Sequence, residues 1–79
     1  MTILYKKQAV RYIERCDSVT KARLKTAIEA LPAGDITRLS GTNGAMRLRV
    51  GDLRVLFEIG DDAIIVKAIG SRGQIYKGL

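Results

Sequence analysis

The stretch Met46-Arg47-Leu48-Arg49-Val50-Gly51-Asp52-Leu53-Arg54-Val55-Leu56-Phe57-Glu58-Ile59 decides how the chain folds. Branched and aromatic residues flank Gly51-Asp52, so the stretch reads as two strands joined by a two-residue hairpin turn. Such a turn pairs Val50 with Leu53 and Arg49 with Arg54. Side chains alternate between the two faces of a strand. Leu48, Val50, Leu53, Val55 and Phe57 then share the face that a core would cover, and Arg47, Arg49 and Arg54 share the other. Like charges placed opposite each other on a sheet destabilise it, by a few tenths to about 1 kcal/mol for exposed groups. Folding gains nothing from this arrangement. A polyanion lying on the face would gain, because arginine binds phosphate through two parallel hydrogen bonds. The plainer alternative is a solvated outer face, with Glu58 and Asp52 softening the repulsion.

Downstream, Ala63 to Ile69 is a third strand-like run, entered through Gly60-Asp61-Asp62 and apolar on both faces, as suits a central strand. Gly70-Ser71 and Gly73 break the pattern, and Gln74 to Tyr76 is read as a short last strand. Upstream, Thr2 to Tyr5 is a short first strand. From Lys6 to Arg15 the residues Ala9, Val10 and Ile13 recur at helical spacing. Asp17 and Ser18 suit a helix N-cap, and Leu24, Ala27, Ile28 and Leu31 follow the i, i+3, i+4, i+7 pattern of a second helix. Lys21, Arg23 and Lys25 lie largely off that stripe, and Pro32 ends the helix. The expected fold is α+β: a small antiparallel sheet of three to four strands, plus a short N-terminal strand, packed against two N-terminal helices.

The chain is 79 residues long, which suits one domain spanning 1–79, and 47% of its residues are hydrophobic. It has one cysteine, Cys16, and no histidine. An internal disulfide, a Ser-His-Asp triad, an ordinary zinc site and a histidine general base are therefore excluded. Cys16 lies among positions expected to be buried and reads as an inert core thiol. No apolar run approaches a membrane span or a signal peptide, so a soluble cytoplasmic protein without a membrane partner is expected. Fourteen Lys and Arg against eight Asp and Glu leave a net charge of +6, which directs attention to polyanionic partners. Arg72 follows the Gly70-Ser71 break and is a fourth cation within reach of the arginine face. Tyr76, four residues on, is either an edge-packing aromatic or a phenol whose pKa nearby arginines would lower.

The segments Leu39-Ser40-Gly41, Met46 through Ile59, Ile69-Gly70-Ser71-Arg72 and Ile75-Tyr76 resemble the RelE/ParE superfamily, the toxins of type II toxin–antitoxin pairs. The order and spacing of elements fit over nearly the whole chain. The resemblance implies a small sheet backed by two helices, a cognate antitoxin as partner and, in the RelE-like branch, cleavage of mRNA on the ribosome. In that branch the matching positions are Arg47, Arg49, Arg54, Arg72 and Tyr76. Arg54, Arg72 and Tyr76 are the catalytic candidates, and Arg47, Arg49, Lys67 and Lys77 the RNA-binding ones. Many relatives carry aromatic residues where this chain has Met46 and Leu53, and a histidine where it has Ser71.

No metal or cofactor is implied. RNA cleavage without a metal needs a base for the 2′-OH, cations for the charged phosphorane and an acid for the 5′-oxygen, and leaves a 2′,3′-cyclic phosphate. Tyr76 is the candidate base or 2′-OH positioner, with Glu58 as its rival; Glu58 also reads as an ion-pair partner for a neighbouring arginine. Arg72 would hold the scissile phosphate or assist the leaving group. Two other readings stay open: a ParE-like inhibitor of DNA gyrase, and an inactive relative that binds nucleic acid or an antitoxin.

Overall fold

The structure, a computed structural model, describes residues 2–39, 44–73 and 75. The order is β1 (Thr2–Tyr5), α1 (Lys7–Arg15), α2 (Ser18–Glu29), β2 (Ile36–Arg38), β3 (Met46–Val50), β4 (Leu53–Ile59) and β5 (Ala63–Ser71). The strands form one sheet in the order β1-β5-β4-β3-β2. The expected fold class holds, and the strand count changes. The sheet is mixed rather than antiparallel throughout, because β1 runs parallel to β5. Helices α1 and α2 supply the crossover that a parallel pair requires. A further strand, β2, pairs antiparallel with β3. It is only three residues long and its pattern Ile36-Thr37-Arg38 is too short to register as a period in sequence. Gln74 and Tyr76 of the expected last strand lie outside the described residues, and Ile75 lies beyond the end of β5 in a helical turn.

The hairpin register is the one read from sequence: Val50 pairs with Leu53, Arg49 with Arg54, Leu48 with Val55. Gly51 has φ +60°, the left-handed value that the first central residue of a type II′ turn adopts and glycine accommodates without strain. Between β4 and β5 the register shifts at Leu56/Phe57, so that Leu56 pairs with Ala68, Phe57 with Val66, and Lys67 is the extra residue.

One face of the sheet carries the core. Leu48, Val55, Phe57, Ile64, Val66 and Ile69 meet Ala9 of α1 and Leu24 and Ile28 of α2. Asp17 caps α2, its carboxylate accepting from the Thr20 N–H at 2.8 Å. That bond holds the carboxyl below the usual aspartate range. Cys16 packs against the core with its thiol donating to the Tyr12 carbonyl at 3.3 Å, and burial raises its pKa. Val10, read from spacing as a core position, is 40% exposed. It sits on the flank of α1, since Ala9 and Ile13 already fill the face toward the sheet.

β5 is longer than its neighbour β1, which ends at the Tyr5–Val66 pair. The edge left open beyond Val66 is covered by a side chain. Gln8 of α1 donates through Nε2 to the Ile69 carbonyl at 2.9 Å and accepts from the Ile69 N–H at 2.8 Å. The amide thus takes the place of the next peptide group of β1 and holds the strand end that leads to Arg72.

Two outcomes are expected. Phe57→Ala, which empties a fully buried position, should lower unfolding free energy by about 3–5 kcal/mol in chemical denaturation. Because the Asp17 pKa is lowered on folding, its contribution is present above the ordinary aspartate range and is lost as pH falls through the lowered value. Asp17→Asn keeps a capping oxygen that does not titrate, so melts between about pH 5 and pH 2 should show the parent chain losing stability relative to this variant.

Candidate nucleic-acid face

The face of the sheet away from the helices carries the arginines, as alternation requires. Their surroundings differ from one another. Arg49 is exposed and pairs through Nε with the Asp35 carboxylate at 3.0 Å, just before β2. Arg47 donates from Nη2 to the Thr37 hydroxyl at 3.3 Å across the β2–β3 pair. Arg54 is only 9% exposed. Its Nη1 donates to the carbonyls of Gly51 and Leu53, both at 3.0 Å, so the guanidinium group folds back beneath its own turn. The repulsion expected between Arg49 and Arg54 is relieved by sending one outward to an acid and the other inward to carbonyl oxygens. A charged donor to a carbonyl is worth about 1.5–3 kcal/mol, against about 0–1 kcal/mol for an exposed ion pair. Arg54 is therefore the structural anchor of the tip, and Arg49 the more readily released cation.

Lys67 donates to Glu58 at 3.3 Å across the β4–β5 bulge. The ion pair expected for Glu58 is present, with a lysine as the partner in place of an arginine. Arg72 is exposed, and its backbone N–H donates to the Asp52 carbonyl at 3.1 Å. That bond ties the end of β5 to the hairpin tip, so the positions of Arg49, Arg54 and Arg72 converge there. Tyr76 and Lys77 lie outside the described residues.

Two further features place Ile75. Gly70 pairs with Arg54, so a Cβ on Gly70 would point to the arginine face. It would stand 3.0 Å from Ile75 Cδ1 and 3.3 Å from the Ile75 Cα. Ile75 is therefore seated on the arginine face, over the one β5 position with no side chain in the way. Ile75 and Leu56 are both buried yet stand outside the main core cluster, a small apolar contribution to a face read from sequence as charged. Asp35, Gln8 and the Gly70–Ile75 contact were not legible in sequence. The Gln8 and Asp35 contacts join residues of separate elements, the Gly70–Ile75 contact depends on how the chain turns after β5, and only a glycine within an apolar run hinted at the last.

The family model for the ParE toxin of type II toxin–antitoxin systems matches residues 3–76. No curated protein matches the chain. Among solved structures, the chain is similar to the RelB-RelE antitoxin-toxin complex from Methanococcus jannaschii, at 25% identity and TM-score 0.78, covering 96% of this chain and 98% of that one. It also resembles the archaeal RelE-RelB complex from Pyrococcus horikoshii, at 24% identity and TM-score 0.73, over 92% and 96% of the two chains. The isolated RelE toxin of E. coli shares the fold at 14% identity and TM-score 0.70, over 89% and 82%. A mixed sheet backed by two helices, a hairpin bearing arginines and a match over almost the full length agree: the chain belongs to the RelE/ParE superfamily of toxins of type II toxin–antitoxin systems.

Proposed function

We propose that the protein is an mRNA endoribonuclease that works on the ribosome in the cytoplasm and is held in check by a cognate antitoxin. The observation that carries this reading is the seating of Ile75 on Gly70, because it sets the residue before Tyr76 in sequence against the arginine face next to Arg54. Tyr76 is the residue that follows Ile75 in the sequence. Arg49 and Arg72 are the exposed cations about the tip, suited to an RNA phosphate and to the charge that develops on the phosphorane. Arg54 shapes the turn and adds positive potential from below. Arg47, Lys67 and Lys77 extend the RNA-binding face. Tyr76 takes or positions the 2′-OH proton, the 2′-oxygen attacks phosphorus, and the P–O5′ bond breaks to leave a 2′,3′-cyclic phosphate. Arg72 stabilises the departing 5′-oxygen, which takes up a proton from solvent water to leave as a 5′-OH. Glu58 is the weaker candidate base, since its carboxylate is committed to Lys67. The antitoxin partner is supported by the complexes in which the similar structures are found.

A second reading, inhibition of DNA gyrase, is favoured by the description of the matching family as ParE toxin. Mapping mRNA 5′ ends after induced expression separates the two: cuts within coding regions support the ribonuclease, whereas a DNA-damage response without cuts supports gyrase.

Arg72→Ala and Tyr76→Phe should each reduce ribosome-dependent cleavage by about 100-fold or more. Full cleavage by both variants would remove the assigned site. Gly70→Ala should push Ile75, the residue before Tyr76, off the sheet and lower cleavage by up to about 100-fold while far-UV circular dichroism stays as in the parent.

A further inference from the structure

Among the described residues, the cations of the sheet are largely engaged within the molecule, and those of α1 are not. Lys7, Arg11 and Arg15 recur every four residues and are all exposed. At about 1.5 Å per residue they form a row with steps of about 6 Å along one flank of the helix. Gln8 and Tyr12 complete a shallow groove beside them. Among the described residues, neither ion pair, Arg49–Asp35 nor Lys67–Glu58, involves this row. The acid of the same helix, Glu14, lines a different groove with Tyr5, Val10 and Ile13. Like charges four residues apart disfavour a helix, so the row costs the fold something and returns nothing to it. Gln8 also fixes where the row lies, since its two hydrogen bonds to Ile69 hold α1 against the strand end that leads to Arg72.

We propose that this flank of α1 is a docking surface for the phosphate backbone of double-helical RNA, separate from the cleavage site on the sheet. The choice of RNA over another polyanion rests on the ribonuclease reading above. The row itself favours a stiff, regularly spaced backbone: three cations on a rigid helix climb one flank with a turn of about 40° per step, a ridge that suits the curved backbone of a duplex. A-form RNA is recognised chiefly through its shape, phosphates and 2′-hydroxyls, which requires no base-reading side chains. Through this contact α1 would anchor the toxin on structured RNA while the arginine face engages the strand to be cut.

The test uses the full chain and a labelled RNA hairpin duplex, with affinity read by fluorescence anisotropy over about 50–200 mM salt. Arg11→Gln/Arg15→Gln should reduce the slope of log affinity against log salt by about 2, since each phosphate contact contributes about 0.9. Lys21→Gln/Lys25→Gln removes the same charge from α2 and should leave the slope near the parent value. A parent-like slope in the Arg11/Arg15 pair overturns the proposal, as does an equal loss in both pairs, which would mean that only net charge matters. If the Arg11/Arg15 pair instead keeps its RNA slope and loses affinity for poly-glutamate, the surface belongs to an acidic protein and the proposal fails. Thermal melts check that the variants fold. Cleavage on ribosomes is measured separately: if the α1 slope changes as expected but the parent chain never cuts mRNA, the ribonuclease reading falls and the docking surface stands.

Discussion

Register places the guanidinium groups of Arg49 and Arg54 opposite each other at the end of a hairpin, and much of the site's arrangement follows from how that repulsion is relieved. Arg54 turns under the tip and donates to the carbonyls of Gly51 and Leu53, while Arg49 turns outward to Asp35. The inward choice is the stronger, because a charged donor gains more from a carbonyl in partly buried surroundings than an exposed pair gains in water. The tip thereby becomes a fixed point. Arg72 docks on it through the Asp52 carbonyl, and the guanidinium of Arg23 from α2 approaches Gly51 from the other side, 2.8 Å from where a Cβ would stand.

A fixed tip also determines where Ile75 goes. β5 outruns β1, and its open edge would leave the Ile69 peptide without strand partners; the Gln8 amide supplies both a donor and an acceptor. Held in this way, the strand delivers Gly70 opposite Arg54, and the missing side chain leaves room for Ile75. A small apolar contact, set among cations, holds Ile75 on that face.

Charge is divided between the two sides of this fold. Arg49, Arg54 and Lys67 on the sheet each have a partner within the molecule, so the potential there is partly neutralised and directionally organised. Along α1, Lys7, Arg11 and Arg15 are exposed, and neither ion pair among the described residues includes them. The proposed RNA docking and the proposed cleavage would draw on these two arrangements respectively.

Alternation and helical spacing alone determined the two helices, the hairpin register, the core stripe of Leu24 and Ile28, and the grouping of three arginines on one face, because these are local periodicities that a linear chain displays directly. The family resemblance was legible for the same reason: it resides in a contiguous block about the turn. Tertiary structure decided the rest. That β1 pairs parallel with β5, that Ile36–Arg38 adds a strand, that Arg54 is buried while Arg49 meets Asp35, and that Gln8 closes an open edge all depend on residues as many as 61 positions apart. No periodicity reports such pairings, since burial and hydrogen-bond satisfaction are properties of the folded surroundings rather than of the residue.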